Sequence, residues 1–418
     1  MVIGGGAREH AITWKLSQSP KVKELYVDPG NAGTAQIAQN ITISPTDSDS
    51  LAKIAQDKSI DFTIVGPEAP LAAGIVDEFQ ARGLPIFGPT KAAAEIESSK
   101  VFAKELMQKY NIPCAQSSAF SSFAKAKAYL MQQKMPIVVK ADGLAAGKGV
   151  TIASSTEQAL EALSDIMEAK VFGSAGDRVL IEECLKGREM SVFAFTDAHT
   201  VMPTVPACDY KPILDGDKGP NTGGMGSYSP PHFITPELAR TVSETIMQPA
   251  VKALDSESRS YTGVLYGGLM ITDDGPKVME FNARLGDPET QVVLPRLKTD
   301  LVDIILGVIN KNLDQIEIEW SDDACVGVVM ASAGYPGSYK KGLPITGWGN
   351  LDEDIIVFHA GTDLDAEGKV ITSGGRVLTV VATGETIAKA REKVYNNISR
   401  LHFEGCHYRQ DIALIKEG

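Results

Sequence analysis

Cysteine and histidine are the scarce residues of this 418-residue chain. Its five cysteines, Cys114, Cys184, Cys208, Cys325 and Cys406, lie far apart and form no CxxC pair. Their odd number and wide spacing argue against a disulfide framework or a zinc ribbon and suit a reducing compartment. Six histidines without an HExxH pattern leave no sequence basis for a zinc hydrolase. No apolar run approaches the roughly 18 residues that a membrane-spanning helix requires, and the start has no basic segment followed by a long apolar one, so no signal peptide is expected. Excess positive charge is also missing. Forty Lys and Arg against 53 Asp and Glu give a net charge of −13, which argues against a nucleic-acid or anionic-membrane surface. A few placed cations can still make a local pocket for an anionic small molecule.

Hydrophobic residues make up 43% and charged residues 22%, a balance that excludes disordered, collagenous and coiled-coil chains. The length suggests several domains with ample core. In the first hundred residues short apolar runs alternate with helical stretches: Met1–Ile3 into Gly4-Gly5-Gly6, a helix from Arg8 to Ser17, strands near Leu25–Val27, Asp61–Val65 and Leu84–Phe87. Strand, turn, helix, strand is the pattern of a parallel sheet. A helix is expected from Glu95 to Asn111, stopped by Pro113. Strands at Ile137–Val139, Val150–Ala153 and Arg178–Glu182 surround a helix at Thr156–Lys170. The chain turns β-rich from Met190, with a helix from Glu237 to Leu254 and a hairpin joining Gly267–Ile271 to Lys277–Phe281. Strands near Val326–Ala333, Val357–Ala360 and Arg376–Ala382 and a helix at Glu385–Ser399 close the chain. Boundaries fall near residues 100, 190 and 325, which divides it into 1–100, 101–190, 191–325 and 326–418.

The stretch Lys140-Ala141-Asp142-Gly143-Leu144-Ala145-Ala146-Gly147-Lys148-Gly149-Val150 carries the most chemistry. Small residues let backbone amides approach phosphate oxygens, and a lysine stands at either end. It fails the Walker spacing, and Val150 continues as a strand rather than a helix, so it reads as a glycine-rich turn between two strands that folds over a nucleotide. The bland alternative is a flexible hairpin with solvated lysines. Downstream, Glu182, Glu183, Leu185 and Glu189 follow a strand where an adenine edge and ribose hydroxyls can be read, although an acidic strand end is more often simply solvated. Glu280 and Asn282 fall on one face of a strand because side chains alternate, and with Arg284 just behind they suit Mg²⁺ bridging phosphates. No Ser/His/Asp or Cys/His arrangement accompanies them.

These pieces, together with Gly5–Ala11, Pro29–Thr34, Thr63–Leu71, Gly219–Gly226, Glu280–Gln291 and Thr372–Val377, resemble the ATP-grasp ligases, and among them the glycinamide ribonucleotide synthetase family, over essentially the whole chain. The resemblance implies a Rossmann-like parallel α/β domain, an ATP-grasp core of two α+β subdomains and a small C-terminal α+β domain. It implies a cytoplasmic, monomeric enzyme of purine (IMP) biosynthesis that uses ATP and Mg²⁺ or Mn²⁺. Glycine would be joined to 5-phosphoribosylamine through a glycyl phosphate, with neither nucleic acid nor membrane as partner. Residue by residue, it implies Lys104 and Lys140 on the α- and β-phosphates, Gly143 and Gly147 in the covering turn with Lys148 over the transferring phosphate, and Glu182, Glu183 and Leu185 at adenine. Glu280 and Asn282 would hold the metal, and Arg284 the acyl phosphate. Asp287 and Glu289 would lie near the glycine ammonium. Gly5, Gly6, Arg8, Asn31, Gly33, Thr34, Asn221, Thr222, Gly223, Gly374, Gly375 and Arg376 would surround the ribose phosphate, though each small-residue turn alone is equally a tight turn that wants glycine. A further metal carboxylate common in relatives has no counterpart in Leu265–Met270. Three competing readings stay open here. One is a nicotinamide dehydrogenase, since Gly4–Glu9 follows a strand but Glu9 stands where the third glycine belongs. The others are another enzyme of the same superfamily and a non-catalytic nucleotide-binding module.

Overall fold

A computed structural model describes residues 1–144 and 149–415 of the chain. The first hundred residues form the expected parallel sheet, with strands in the order Gln39–Asn40, Tyr26–Pro29, Val2–Gly4, Thr63–Val65, Ile86–Phe87. Val2–Gly4 is only three residues long and wholly buried, which is why it reads as a continuous apolar run. It lies at the centre, where successive connections leave in opposite directions. In such sheets the crevice beyond the strand ends at this switch point binds ligands.

The helix expected over 95–111 is two helices, Lys91–Ser98 and Lys100–Lys109. Ser99 adopts an extended conformation (φ −132°, ψ 109°) and its hydroxyl caps Phe102 N. A serine competes for nearby backbone amides and favours a cap over a helix interior. The break lets Glu97 end one helix while Lys100 and Lys104 sit on the next. Similarly, the helix expected at 237–254 is interrupted by a wider π turn at Ser243–Met247.

Two antiparallel sheets follow. The first orders Ser117–Phe120, Val179–Glu183, Ile137–Ala141, Val150–Ala153, and buries Val139 and Ile181 against Leu163 and Ile166 of the helix Thr156–Met167. The second orders Val201–Pro203, Arg188–Asp197, Thr262–Thr272, Gly275–Asn282. Arg188–Asp197 pairs along its full length with the next strand. Its partner hairpin turns at Asp273 and Asp274, with Gly275 at φ 105°. A bulge opposite Gly268 and Leu269 shifts the register just before Glu280, and bulges re-aim side chains.

The C-terminal sheet orders Cys208–Asp209, Gly226–Ser229, Ala324–Ala331, Arg376–Gly384, Ile356–His359. It therefore takes strands from both sides of the boundary expected near 325. Hydrophobic clusters cross regions in the same way: Ile3, Phe79, Leu106, Leu254 and Phe281 share one core.

Candidate active site

At one end of the site two lysines meet one carboxylate. Val138 pairs with Glu182 across the sheet, so Lys140, two residues on, points to the same face. Lys140 Nζ lies 2.7 Å and Lys104 Nζ 2.8 Å from the Glu182 carboxylate, and Glu182 and Lys104 side chains are each 3% exposed. Burial pushes the Glu182 carboxyl up, but Lys140 and Lys104 outweigh it and hold it below the usual range. Lys140 also donates to the Met279 carbonyl (3.1 Å), one residue before Glu280. The sequence assigns Glu182 to an adenine amine. In this structure its carboxylate is the counter-charge of the lysine pair. Glu183 donates its amide to the Gln116 carbonyl and accepts from Gln116 N, and Glu189 pairs with Lys211 at 2.8 Å.

The glycine-rich turn is braced at its root. Asp142 accepts from Ser99 Oγ (3.0 Å) and Val101 N (3.1 Å), and pairs with Arg178. Lys100 donates to the Gly143 carbonyl (2.7 Å), and burial holds its ammonium below the ordinary lysine range. Gly143 sits at φ 135°, where only glycine is at ease. Gly147 and Lys148 lie outside the described residues. Sequence reasoning missed Lys100, although it stands four residues before Lys104 and hence on the same helix face.

Glu280 and Asn282 share a face of Gly275–Asn282, while Phe281 between them is buried. Among the described residues no group of three or more His, Cys, Asp or Glu is arranged to hold a metal. Two hard oxygen donors nonetheless fit Mg²⁺, which keeps waters and phosphate oxygens for the rest of its octahedron. Gly268 pairs with Glu280, so the neighbouring strand offers no acid there. Asp209 is close enough to Glu280 to feel its charge.

Arg284 is gripped from two sides, by Glu68 (3.2 Å) and Glu97 (3.0 Å). A few residues further on, the loop Leu285–Glu289 gathers partners from distant parts of the chain. Arg8 donates to the Leu285 carbonyl (3.2 Å). Arg376 pairs with Asp287 (2.8 Å) and donates to the Gly223 carbonyl (2.6 Å). The Asp287 carboxyl is lifted by burial but held low by Arg376 and Arg8. Glu289 accepts from Ser191 Oγ (2.9 Å), which also meets the Tyr266 hydroxyl. Burial and then the nearby Asp209 push the Glu289 carboxyl up to about 7.

The glycine turns of the first domain behave differently. Asn31 Oδ1 takes the amides of Gly33 and Thr34, and its Nδ2 donates to the carbonyls of Gly5 and His359. Thr34 is fully buried. A side chain at Gly33 would strike the His10 and His359 rings. Asn31, Gly33 and Thr34 thus close a packed turn onto the C-terminal region. Gly374 and Gly375 turn likewise, their carbonyls taken by Ser332 Oγ and Ser332 N. Thr222 donates its hydroxyl to the Lys211 carbonyl, and Asn221 ends the exposed strand Lys218–Asn221. Glu9 bonds the Gly6 amide (2.7 Å), so the loop where a dinucleotide would seat its pyrophosphate carries a carboxylate.

Two antiparallel sheets facing each other, one bearing a glycine-rich turn and the other a Glu-x-Asn strand, with a helix lysine between them, define the ATP-grasp class. Family models match nearly the whole chain: Phosphoribosylglycinamide synthetase N domain at residues 1–97, its ATP-grasp (A) domain at 98–290 and its C domain at 325–415. The chain belongs to this family. It is 52% identical over 414 residues to phosphoribosylamine–glycine ligase of Halalkalibacterium halodurans, covering 99% of this chain and 96% of that one. It is 49% identical to the trifunctional purine biosynthetic protein adenosine-3 of Gallus gallus, covering 99% of this chain and 42% of that one. The solved phosphoribosylamine–glycine ligase of Thermotoga maritima superposes with a TM-score of 0.86 at 34% identity, covering 98% and 99% of the two chains. A biotin carboxylase domain from Hydrogenobacter thermophilus, solved with MgADP, shares the fold at a TM-score of 0.73 and 15% identity, covering 97% and 91%.

Proposed function

We infer that the chain is an ATP-dependent ligase that joins glycine to 5-phosphoribosylamine, giving glycinamide ribonucleotide, ADP and phosphate in purine biosynthesis. The observation that carries this reading is the convergence on the loop Leu285–Glu289 of Arg8, Asp287 and Arg376, one from each region matched by the three family models. A ligase with three reactants needs such a junction, because most of its barrier is removed by holding the reacting groups together.

A carboxylate is a poor electrophile because its leaving group would be oxide. A glycine carboxylate oxygen attacks the γ-phosphorus of ATP, the bond to the ADP oxygen breaks, and glycyl phosphate forms. The amine nitrogen of phosphoribosylamine then attacks the acyl carbon. The C–O bond to phosphate breaks, phosphate leaves with the electron pair, and the nitrogen gives up a proton. No nucleophilic side chain is required, so the protein contributes position and charge. Lys104 and Lys140 hold the α- and β-phosphates, which displace Glu182 as their counter-charge. Lys148 covers the transferring phosphate and Arg284 steadies the acyl phosphate. Glu183 and Leu185 border adenine. Asp287 and Glu289 receive the glycine ammonium, and Gly6, Arg8, Gly223 and Arg376 face the ribose phosphate. Glu280 and Asn282 would hold Mg²⁺, with Mn²⁺ a second candidate; when bound the ion neutralises phosphate charge. Among the described residues no helix is long and apolar enough to cross a membrane; the acidic balance speaks against nucleic-acid partners and the free cysteines suit a reducing cytoplasm, where the enzyme acts as a monomer in this reading.

The test is ADP and phosphate release with each amine and acid pair. Release that requires both phosphoribosylamine and glycine is expected, and release with another pair but not this one refutes the reading. In the same assay Glu280→Gln should shift the Mg²⁺ requirement upward by about 10–100-fold, and an unchanged requirement removes Glu280 from the metal site.

A further inference from the structure

Glu97 occupies a position that local physics disfavours. It lies in the last turn of Lys91–Ser98, where the negative end of the helix dipole repels a carboxylate. Its side chain is only 6% exposed, so charging it forfeits most of its hydration. Two contacts offset part of these costs, although burial still holds the carboxyl above the usual carboxylate range. One carboxylate oxygen accepts from Ala283 N (2.7 Å), the residue after Asn282. The other lies 3.0 Å from Arg284 Nη2. Glu68 approaches the Nε edge of the same guanidinium at 3.2 Å, and the Leu285 carbonyl takes Nη1. A guanidinium is a planar fork whose donors have fixed directions, so fixing Nη2 and Nε fixes the plane. Glu97 thus grips both the backbone that ends the Glu280–Asn282 strand and the head group of the arginine that follows it.

We propose that Glu97 is a positioning residue for phosphoryl transfer: it orients the Arg284 guanidinium toward the acyl phosphate without itself touching a reactant. The proposal rests on the reading of Arg284 given above. Supporting groups that hold a reacting group in line commonly change activity by about 10–100-fold when removed.

A double-variant cycle of wild type, Glu97→Gln, Arg284→Met and the double variant tests it, with Glu97→Ala beside it. Glutamine keeps an acceptor for Ala283 N but loses the charge that orients Arg284. Glu97→Gln should lower kcat about 10–100-fold with KM for ATP within about twofold and the Mg²⁺ requirement unmoved. Glu97→Ala, which also frees the Ala283 amide, should shift the Mg²⁺ requirement too. The double variant should turn over no more slowly than Arg284→Met alone, because the two residues act as one unit. Wild-type kcat in Glu97→Gln overturns the proposal, as does a double variant in which the two losses multiply. Full turnover in Arg284→Met overturns the reading of Arg284 itself, and the proposal with it. Should Glu97→Gln fail to fold, Glu97→Asp keeps the charge at shorter reach. A kcat between those of wild type and Arg284→Met with unchanged KM for ATP then supports the role, and wild-type kcat overturns it.

Discussion

The lysine pair Lys104 and Lys140 and the glycine turn at Asn31–Thr34 satisfy their polar groups by different means. Lys104 and Lys140 are side chains from two elements that meet on Glu182 in the core. If phosphate binds there as proposed, it would take over the place of that carboxylate as counter-charge. Around Asn31 the polar groups are already spent on one another, and Gly33 and Thr34 shape a turn that carries the first domain onto His359. The charged end stores electrostatic potential, whereas the turn stores geometry. Damage to the first should therefore appear mainly in nucleotide binding and turnover, and damage to the second in stability.

The largest effect is expected from the lysine proposed to cover the transferring phosphate. Lys148→Ala should lower kcat by about 10³-fold or more while thermal melting stays unchanged, and steady-state phosphate release with a melting curve checks both. Full turnover would place the transferring phosphate elsewhere and break the contrast. Glu182→Ala leaves two nearly buried ammonium groups without their carboxylate, and breaking a buried pair from one side costs about 3–5 kcal/mol. Chemical denaturation without nucleotide should register that loss, and ATP with Mg²⁺ should restore more stability to this variant than to the wild type. A variant as stable as wild type would show that the lysines need no counter-charge.

At the packed end, Gly33→Ala drives a methyl into the His10 and His359 rings and should cost about 1–3 kcal/mol, read from the denaturation midpoint, with KM for ATP unmoved. A neutral outcome would mean that the turn yields and is not packed. The last effect appears only in acid. Burial, with His359 adding to it, lowers the His10 pKa from 6.5 to about 3, and burial lowers that of His359 from 6.5 to about 4. Both rings are neutral in the folded chain. Below pH 6.5 the unfolded chain takes up protons that the folded one refuses, so their contribution is complete above that pH and is lost as pH falls toward 4. Replacing His10 with Asn should flatten this limb of a stability–pH curve, and an unchanged slope between pH 6.5 and 4 would acquit it.

Much of this was legible before any coordinates. Alternating apolar runs and glycine turns fixed the parallel first sheet, and residue parity put Glu280 beside Asn282 because alternation along a strand is local. The break at Ser99 was not legible, since helical spacing continues through it and the Asp142 and Arg178 that hold the capping hydroxyl in place are distant in sequence. Glu97 was invisible for the same reason, being one acid among many until Arg284 and Ala283 arrive from nearly two hundred residues away.

The sequence by itself determined the order of elements, the glycine-rich turn and the strand pair of oxygen donors, all of which depend on neighbours within a few residues. Tertiary structure alone decided which charges meet: Glu182 with two lysines, Arg284 between Glu68 and Glu97, Asp287 against Arg376. Ion pairing falls off steeply with distance and is amplified by burial, and neither quantity can be read from a chain that has not yet been folded.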